Sequence, residues 1–339
     1  MRTTKLFLWL ILVHLIPVSL MGQSQQDLLF SWDFDDKKKI YDPAYVDLEE
    51  KDADMTVKEG VHGTFYEIHG LGEYVPGVEG SAFKFDGFSS YIQGAPRNGD
   101  GELVEMPRKL SVESWVALGA YPWNWAPILS IGKFNITGFY LGVDAQGRVG
   151  FHISDGTNAW HECNSNFDYY PHLGLDLHNW YHVVATYSPS QGIKLYLNGE
   201  LVNIYDDYTF DYGITYSELE EGFRLGMNKD PMAPTDPVRT WATHPSQYTL
   251  DGIIDETKIY SKVLSPDEVE QKYASTTPEH EPRLEERDFP SVEGYDDFTA
   301  DYTRLEYYPG WDGIWPPGEH MDVVVQFDRS PVKMMFWRG

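Results

Sequence analysis

The sequence predicts an all-β protein of antiparallel strands, on three observations. Short runs with strand-like alternation recur every several residues from Ala82 onward. Two junctions between such runs carry hairpin chemistry. One is Asp144-Ala-Gln-Gly147, between residues 139–143 and 148–153; the other is Asn198-Gly199, between residues 195–197 and 200–202. Asn-Gly suits a type I′ turn, where both central residues need positive φ. Finally, the chain shows no heptads and no repeat of solenoid period.

The elements follow in chain order. Residues 1–22 read as a signal peptide: Arg2 and Lys5 form a charged start, and the apolar run 6–18 is short for a membrane span. No Cys follows that run, so a lipid anchor is not expected, and a secreted or periplasmic location is. Residues 30–36 read as the first strand. Residues 37–79 are polar and glycine-rich without a sustained period, a long excursion with short strands. Three segments read as loops: the aromatic stretch 121–127, residues 160–172 with the single cysteine Cys163, and the proline-rich stretch 230–248. From Ile253 to Tyr260 alternation places Ile253 and Ile259 on one face and Glu256 and Lys258 on the other. Ser265, Pro266 and Glu268 then supply an N-cap, a proline at the first helical position and a capping-box acid. Residues 275–300 read as an acidic, Pro- and Glu-rich linker. Residues 301–339 regain strand character and end on an apolar run. They are either the opening of a second module or a tail that pads the sandwich.

Five segments, in this order, resemble the laminin-G-like, concanavalin-A-like jelly rolls of secreted carbohydrate-active proteins. They are Phe30-Ser-Trp-Asp-Phe-Asp-Asp36; Gly80-Ser-Ala-Phe-Lys-Phe-Asp-Gly87 with Tyr91-Ile92; Leu110-Ser-Val-Glu-Ser-Trp-Val116; Trp180-Tyr-His-Val-Val-Ala-Thr-Tyr187 with Ile193-Lys-Leu-Tyr-Leu-Asn-Gly199; and the strand and capped helix of residues 250–273. The resemblance spans residues 26–274. It implies a jelly-roll sandwich of two antiparallel sheets with a short C-terminal helix, in which Trp115 and Trp180 are core residues and His182 is structural. Resembling sandwiches set the first and last strands side by side, and many hold a structural Ca²⁺ at that seam. The resemblance therefore implies Asp35 and Asp251 as ligands, with Asp33 and Asp255 beside them. For Asp255, hydrogen bonding to the backbone is the alternative role.

Charge narrows the partners. The chain has 53 acidic and 26 basic residues and a formal net charge of -27. That excludes nucleic acid and anionic membrane surfaces, which require a basic footprint. Aromatic residues make up 15% of the chain, which supplies rings for sugar faces as well as for a core. A sugar site combines an apolar ring face with groups that bond hydroxyls. Trp123, Asn124, Trp125, Arg239, Trp241 and His244 have those types, lie in predicted loops and are expected to be partly exposed. Arg239 would also pair with a carboxylate or sulfate.

The acid–base groups are less ordered. The Glu-x-Asp-x-x-Glu strand common in jelly-roll hydrolases is absent; Glu113 stands alone. β-Elimination from a uronic-acid glycan needs a base, an acid and a group that neutralises the carboxylate. His152, His161, Tyr169 and Arg148 supply those types, with Tyr140, Tyr170 and His172 in reserve. His152 and His161 are expected to approach each other. Neither a Ser-His-Asp order nor zinc spacing occurs. The sequence thus points to a secreted protein that binds polysaccharide within a polysaccharide-degrading system, beside a catalytic partner module. A polysaccharide lyase and a protein-binding adhesion module are the alternatives.

Overall fold

Alternation along the strands builds two antiparallel sheets around one interior. The structure, a computed structural model, describes residues 27–35, 37–39, 55–70, 72–87, 89–122, 125–133, 136–144, 147–156, 160–165, 174–206, 213–217, 219–228, 249–284, 324–325 and 335–336.

One sheet has eight strands. In spatial order these are Glu200–Tyr205 (β15), Gly192–Leu197 (β14), Tyr181–Ser188 (β13), Leu110–Ala120 (β8), Asp251–Tyr260 (β17), Ser81–Asp86 (β6) and Glu73–Pro76 (β5). Leu28–Trp32 (β1) shares the β6 side of β17, pairing with its second half while β6 pairs with its first. The nine-stranded sheet runs Trp160–Asn164 (β12), Val149–Ser154 (β11), Thr137–Val143 (β10), Ala126–Lys133 (β9), Phe223–Leu225 (β16), Tyr91–Gly94 (β7), Phe65–His69 (β4), Met55–Lys58 (β3) and Lys37–Lys39 (β2). A separate two-stranded pair joins Val324–Val325 (β18) to Met335–Phe336 (β19).

Aromatic side chains interlock the sheets. Trp32 meets Tyr66 and Phe223 edge-on, with ring centroids 5.4 Å apart in each case. Phe139 continues this layer toward Phe151. Edge-to-face packing of this kind matches the quadrupoles of the rings and adds about 0.5–1.5 kcal/mol per pair beyond the area buried. Both expected hairpins form. Asn198 and Gly199 have φ of 49° and 83°, as a type I′ turn demands.

The alternation expected along the last strand is interrupted. Between Asp255 and Lys258 the register against β8 slips, and Glu256 has φ of 46°. One extra residue reverses the phase of everything beyond it. Ile254 and Ile259 therefore share the interior, while Ile253 lies on the outer face with Val75 and Ala82.

Helix α1 (Pro266–Ser275) begins as its sequence requires. The Ser265 hydroxyl accepts from the Glu268 N–H, and the Glu268 carboxylate accepts from the Ser265 N–H. Val269 and Leu264 pack on Val184, Tyr196 and Tyr260, on the outer face of the eight-stranded sheet. Residues 276–284, linker by composition, run on as a strap over that same face. Trp180 Nε1 donates to the His280 carbonyl at 2.9 Å, and Leu284 packs with Val75, Ala82 and Ile253. Trp180 is thus half-buried beneath the strap rather than in the core. Trp115 is buried, but on this outer face too, against His182 and Tyr273. The helix and strap cover one sheet, and the outer face of the other carries a different kind of surface.

Candidate functional site

The outer face of the nine-stranded sheet presents one polar row in continuous register. Glu162 pairs with His152, His152 with Tyr140, and Tyr140 with Ser130. Ser130 pairs with Arg224, Arg224 with Gln93, and Gln93 with Glu67. Their strand neighbours Phe151, Phe139, Phe223, Ile92 and Tyr66 point into the core, so period-two alternation sends the row outward.

The half around β10 and β11 is closed over. Trp125 is only 2% exposed, and its ring meets His152 edge-on at 4.6 Å. It fits because Gly150 has no side chain; a Cβ there would stand 2.5 Å from the ring. This corrects the expectation that Trp125 is an exposed sugar platform. His152 (3% exposed) lies across the strand pair from Tyr140 (4%), ring centroids 5.9 Å apart. His152 Nε2 lies 2.9 Å from the Asn164 side-chain oxygen and 3.6 Å from Glu162. Burial pushes the imidazole pKa down, against the opposing pull of Glu162 and Asn164.

His161 does not join it. His161 pairs with Ile153, and so points to the opposite face from His152, where Asp155 holds its Nε2 at 3.0 Å. Arg148 is also engaged: its Nε donates to Asp144 at 2.5 Å within the β10–β11 turn. Cys163 lies on β12 and is 1% exposed, rather than in a polar loop. Trp123, Asn124, Tyr169, Tyr170, His172, Arg239, Trp241 and His244 lie outside the described residues.

The half around β4, β7 and β16 is open. Tyr91 is sandwiched: His69 stacks on it at 4.4 Å and 17°, and the Arg224 guanidinium lies 4.2 Å from its centroid. Glu67 reaches His69 at 3.3 Å, and Gln93 Nε2 donates to the Glu221 carbonyl at 3.1 Å. Beside this stack lies an open trough of about 630 Å³, lined among others by Phe65, Glu67, His69, Gln93, Arg97 and Asn98. Phe65 is 41% exposed. Sequence reasoning missed Phe65, Glu67 and His69 because residues 37–79 read as an irregular excursion, and it gave Gln93, Arg97, Asn98 and Arg224 no role. The available signal was the alternation in Phe65-Tyr-Glu-Ile-His69, whose first, third and fifth residues form the outer face.

The acidic residues implied as calcium ligands do not assemble into one site. Asp35 accepts the N–H of Ser81, at one end of β6, whereas Asp251 pairs with Asp86, at the other. Five residues of extended strand separate those ends by about 17 Å, far beyond a shared ion. Asp33 accepts the N–H of Asp35. Asp255 is buried and accepts the N–H groups of Val78, Glu79 and Glu256, its alternative role. Among the described residues no group of three His, Cys, Asp or Glu side chains is placed to hold a metal ion.

Several solved structures align with most of this chain. The binding domain of botulinum neurotoxin serotype G aligns with a TM-score of 0.50 at 13% identity, covering 74% of this chain and 51% of that one. The binding domain of botulinum neurotoxin DC, in complex with rat synaptotagmin II, aligns at 0.49 and 14%, covering 74% and 52%. A structure of botulinum neurotoxin type C, whose cell entry depends on interaction with two ganglioside molecules, aligns at 0.49 and 14%, covering 75% and 52%. The chain spans about half the length of these structures, and at such identities the likeness is one of fold. None of the curated proteins matches the chain. Residues 87–270, just over half of the chain, match the family described as the concanavalin A-like lectin/glucanases superfamily. With its two antiparallel sheets and terminal helix, the chain belongs to that superfamily.

Proposed function

We propose that this is a secreted carbohydrate-recognition protein that binds polysaccharide through the outer face of its nine-stranded sheet. One observation carries the reading: the His69–Tyr91–Arg224 stack beside an open trough lined by Phe65, Glu67 and Gln93. The trough joins the exposed Phe65 ring to amide, carboxylate and imidazole groups that bond hydroxyls. The trough volume falls within the range of ligand sites, about 300–1,000 Å³. Secretion follows in this proposal from residues 1–22, and service in a polysaccharide-degrading system from the family resemblance. The proposal does not rest on calcium: the shared site expected of Asp35 and Asp251 is not assembled, because they occupy opposite ends of β6.

Affinity electrophoresis through gels containing soluble polysaccharides tests the reading. At least one polymer should retard the protein, and a variant carrying Phe65→Ala and Gln93→Ala should run free. Free migration of the unaltered protein in every gel, with capture by a protein partner only, would establish the adhesion reading instead.

A polysaccharide lyase keeps one observation in its favour. Tyr140 and His152 face each other on the same outer face, and burial favours the neutral imidazole, the protonation state a general base requires. Their near-complete burial beside Trp125 weighs against it. A rise in ultraviolet absorbance from unsaturated uronate ends, abolished by His152→Ala, would decide for the lyase.

A further inference from the structure

We propose that the trough selects an uncharged glycan over a uronate or sulfated one. The inference rests on the carbohydrate reading of this face and adds the ligand's chemical class. An anionic sugar requires a cation whose charge is not already committed. Among the described lining residues Arg97 alone carries a permanent positive charge. Its guanidinium is ion-paired with Glu220 and donates to the Gly101 carbonyl at 2.5 Å. His62 Nε2 lies 3.1 Å from the Leu29 carbonyl, and His69 is held between Glu67 and Tyr91. Arg224, which pairs with Gln93, is not among the lining residues, and its guanidinium lies 4.2 Å from the Tyr91 ring centroid.

The negative groups are the exposed ones. The Glu67 side chain is 76% exposed in the trough, and that of Glu220 is 63% exposed beside Arg97. Binding a carboxylate or sulfate at Arg97 would release Glu220 without a partner and bring the ligand's charge toward Glu67. The chain's net charge of -27 adds a long-range penalty of the same sign. An uncharged pyranose meets none of these costs. Its hydroxyls donate to the Glu67 carboxylate and bond the Gln93 and Asn98 amides, and its apolar face lies on Phe65.

The test is binding of the full chain to an array of neutral, uronate-containing and sulfated glycans, followed by calorimetric titration of the best ligand in each class at low and high salt. The expected result is a neutral chain bound at least about tenfold more tightly than any anionic one, with affinity changing less than about threefold with salt. Phe65→Ala and Gln93→Ala should each weaken that binding by about tenfold without moving the thermal midpoint. Tighter binding of a uronate or sulfated chain, with affinity that collapses as salt rises, overturns the proposal while leaving the carbohydrate reading intact. Neutral-glycan binding indifferent to both substitutions overturns it as well, because the site is then elsewhere. Failure to bind any glycan removes the carbohydrate reading and this inference together.

Discussion

Lys272, on the terminal helix, places its Nζ 2.9 Å from Oε2 of Glu113, on the central strand of the eight-stranded sheet. The contact is the centre of a buried network. Glu113 also accepts from Tyr260 at 2.6 Å and lies 2.9 Å from His182 Nε2, while Lys272 donates to the Tyr260 hydroxyl at 2.6 Å. The network ties the helix to three strands, β8, β13 and β17. Burial alone would raise the Glu113 pKa. The His182 hydrogen bond and the charges of Lys272, His182 and Lys258 outweigh it and hold the carboxyl well below the usual range. A carboxyl depressed in the folded state stabilises the fold above its unfolded pKa, near 4.3, and loses that contribution as pH falls below it. The thermal midpoint should therefore drop on acidification below about pH 4, and Glu113→Gln should flatten that drop. Lys272→Met should cost about 3 kcal/mol in urea unfolding, at the low end for breaking a buried pair because Lys272 retains some solvent contact.

Asp255 should produce the opposite slope. Burial, then the neighbouring Glu256 charge, raise its pKa to about 8, against the N–H groups of Glu256, Val78 and Glu79 that favour the carboxylate. The folded state thus holds its proton more tightly than the unfolded state, whose aspartates titrate near 3.9. Stability must then fall as pH rises from about 4 to about 8 and level off above. Chemical unfolding across that range should show the decline, and Asp255→Asn should reduce it. An unchanged slope in the variant would mean that the proton sits on another group.

These two networks also mark what the sequence discloses. The helix cap at Ser265 and the turn at Asn198-Gly199 are local chemistry, fixed by residues within a few positions of each other, and both were legible. The two-sheet sandwich, with its first and last strands side by side, followed from motifs that resemble a known jelly roll. The face to which a side chain points is not local where register slips. Ile253 changes sides because of the bulge at Glu256, and His161 turns away from His152 because it pairs with Ile153. Trp125 looked like a loop ring, yet the space that buries it is made by Gly150, far along the chain. The open trough comes from the short strands β4 and β7, whose few residues give alternation little length to declare itself.

Cys163 should behave as a buried apolar residue. Its thiol is 1% exposed, and burial raises its pKa to about 12, only partly offset by a backbone hydrogen bond from Tyr205. The thiolate that alkylating reagents attack is therefore scarce at neutral pH. Native protein should resist iodoacetamide and react fully once unfolded in guanidinium. Cys163→Ser should fold at a cost of about 1–2 kcal/mol, since a hydroxyl then occupies a dry site. Rapid labelling of the native protein would show that β12 opens far more readily than its pairing implies.

Trp125 separates packing from recognition on the same sheet face. Its ring fills the space above Gly150 and meets the edge of His152, leaving no face for a ligand. Trp125→Ala removes that volume and opens a cavity beside a buried imidazole, so the expected loss is about 3–5 kcal/mol. Hydration of the cavity should also raise the His152 pKa, because burial is what lowers it. Glycan affinity, measured well below the variant's reduced melting temperature, should change little, because the proposed contacts lie on β4 and β7. The paired measurements are urea unfolding and binding titration, with the His152 ring titrated by NMR. A variant of near-normal stability that no longer binds glycan would place Trp125 at the recognition surface and move the site to the β10–β11 half of the row.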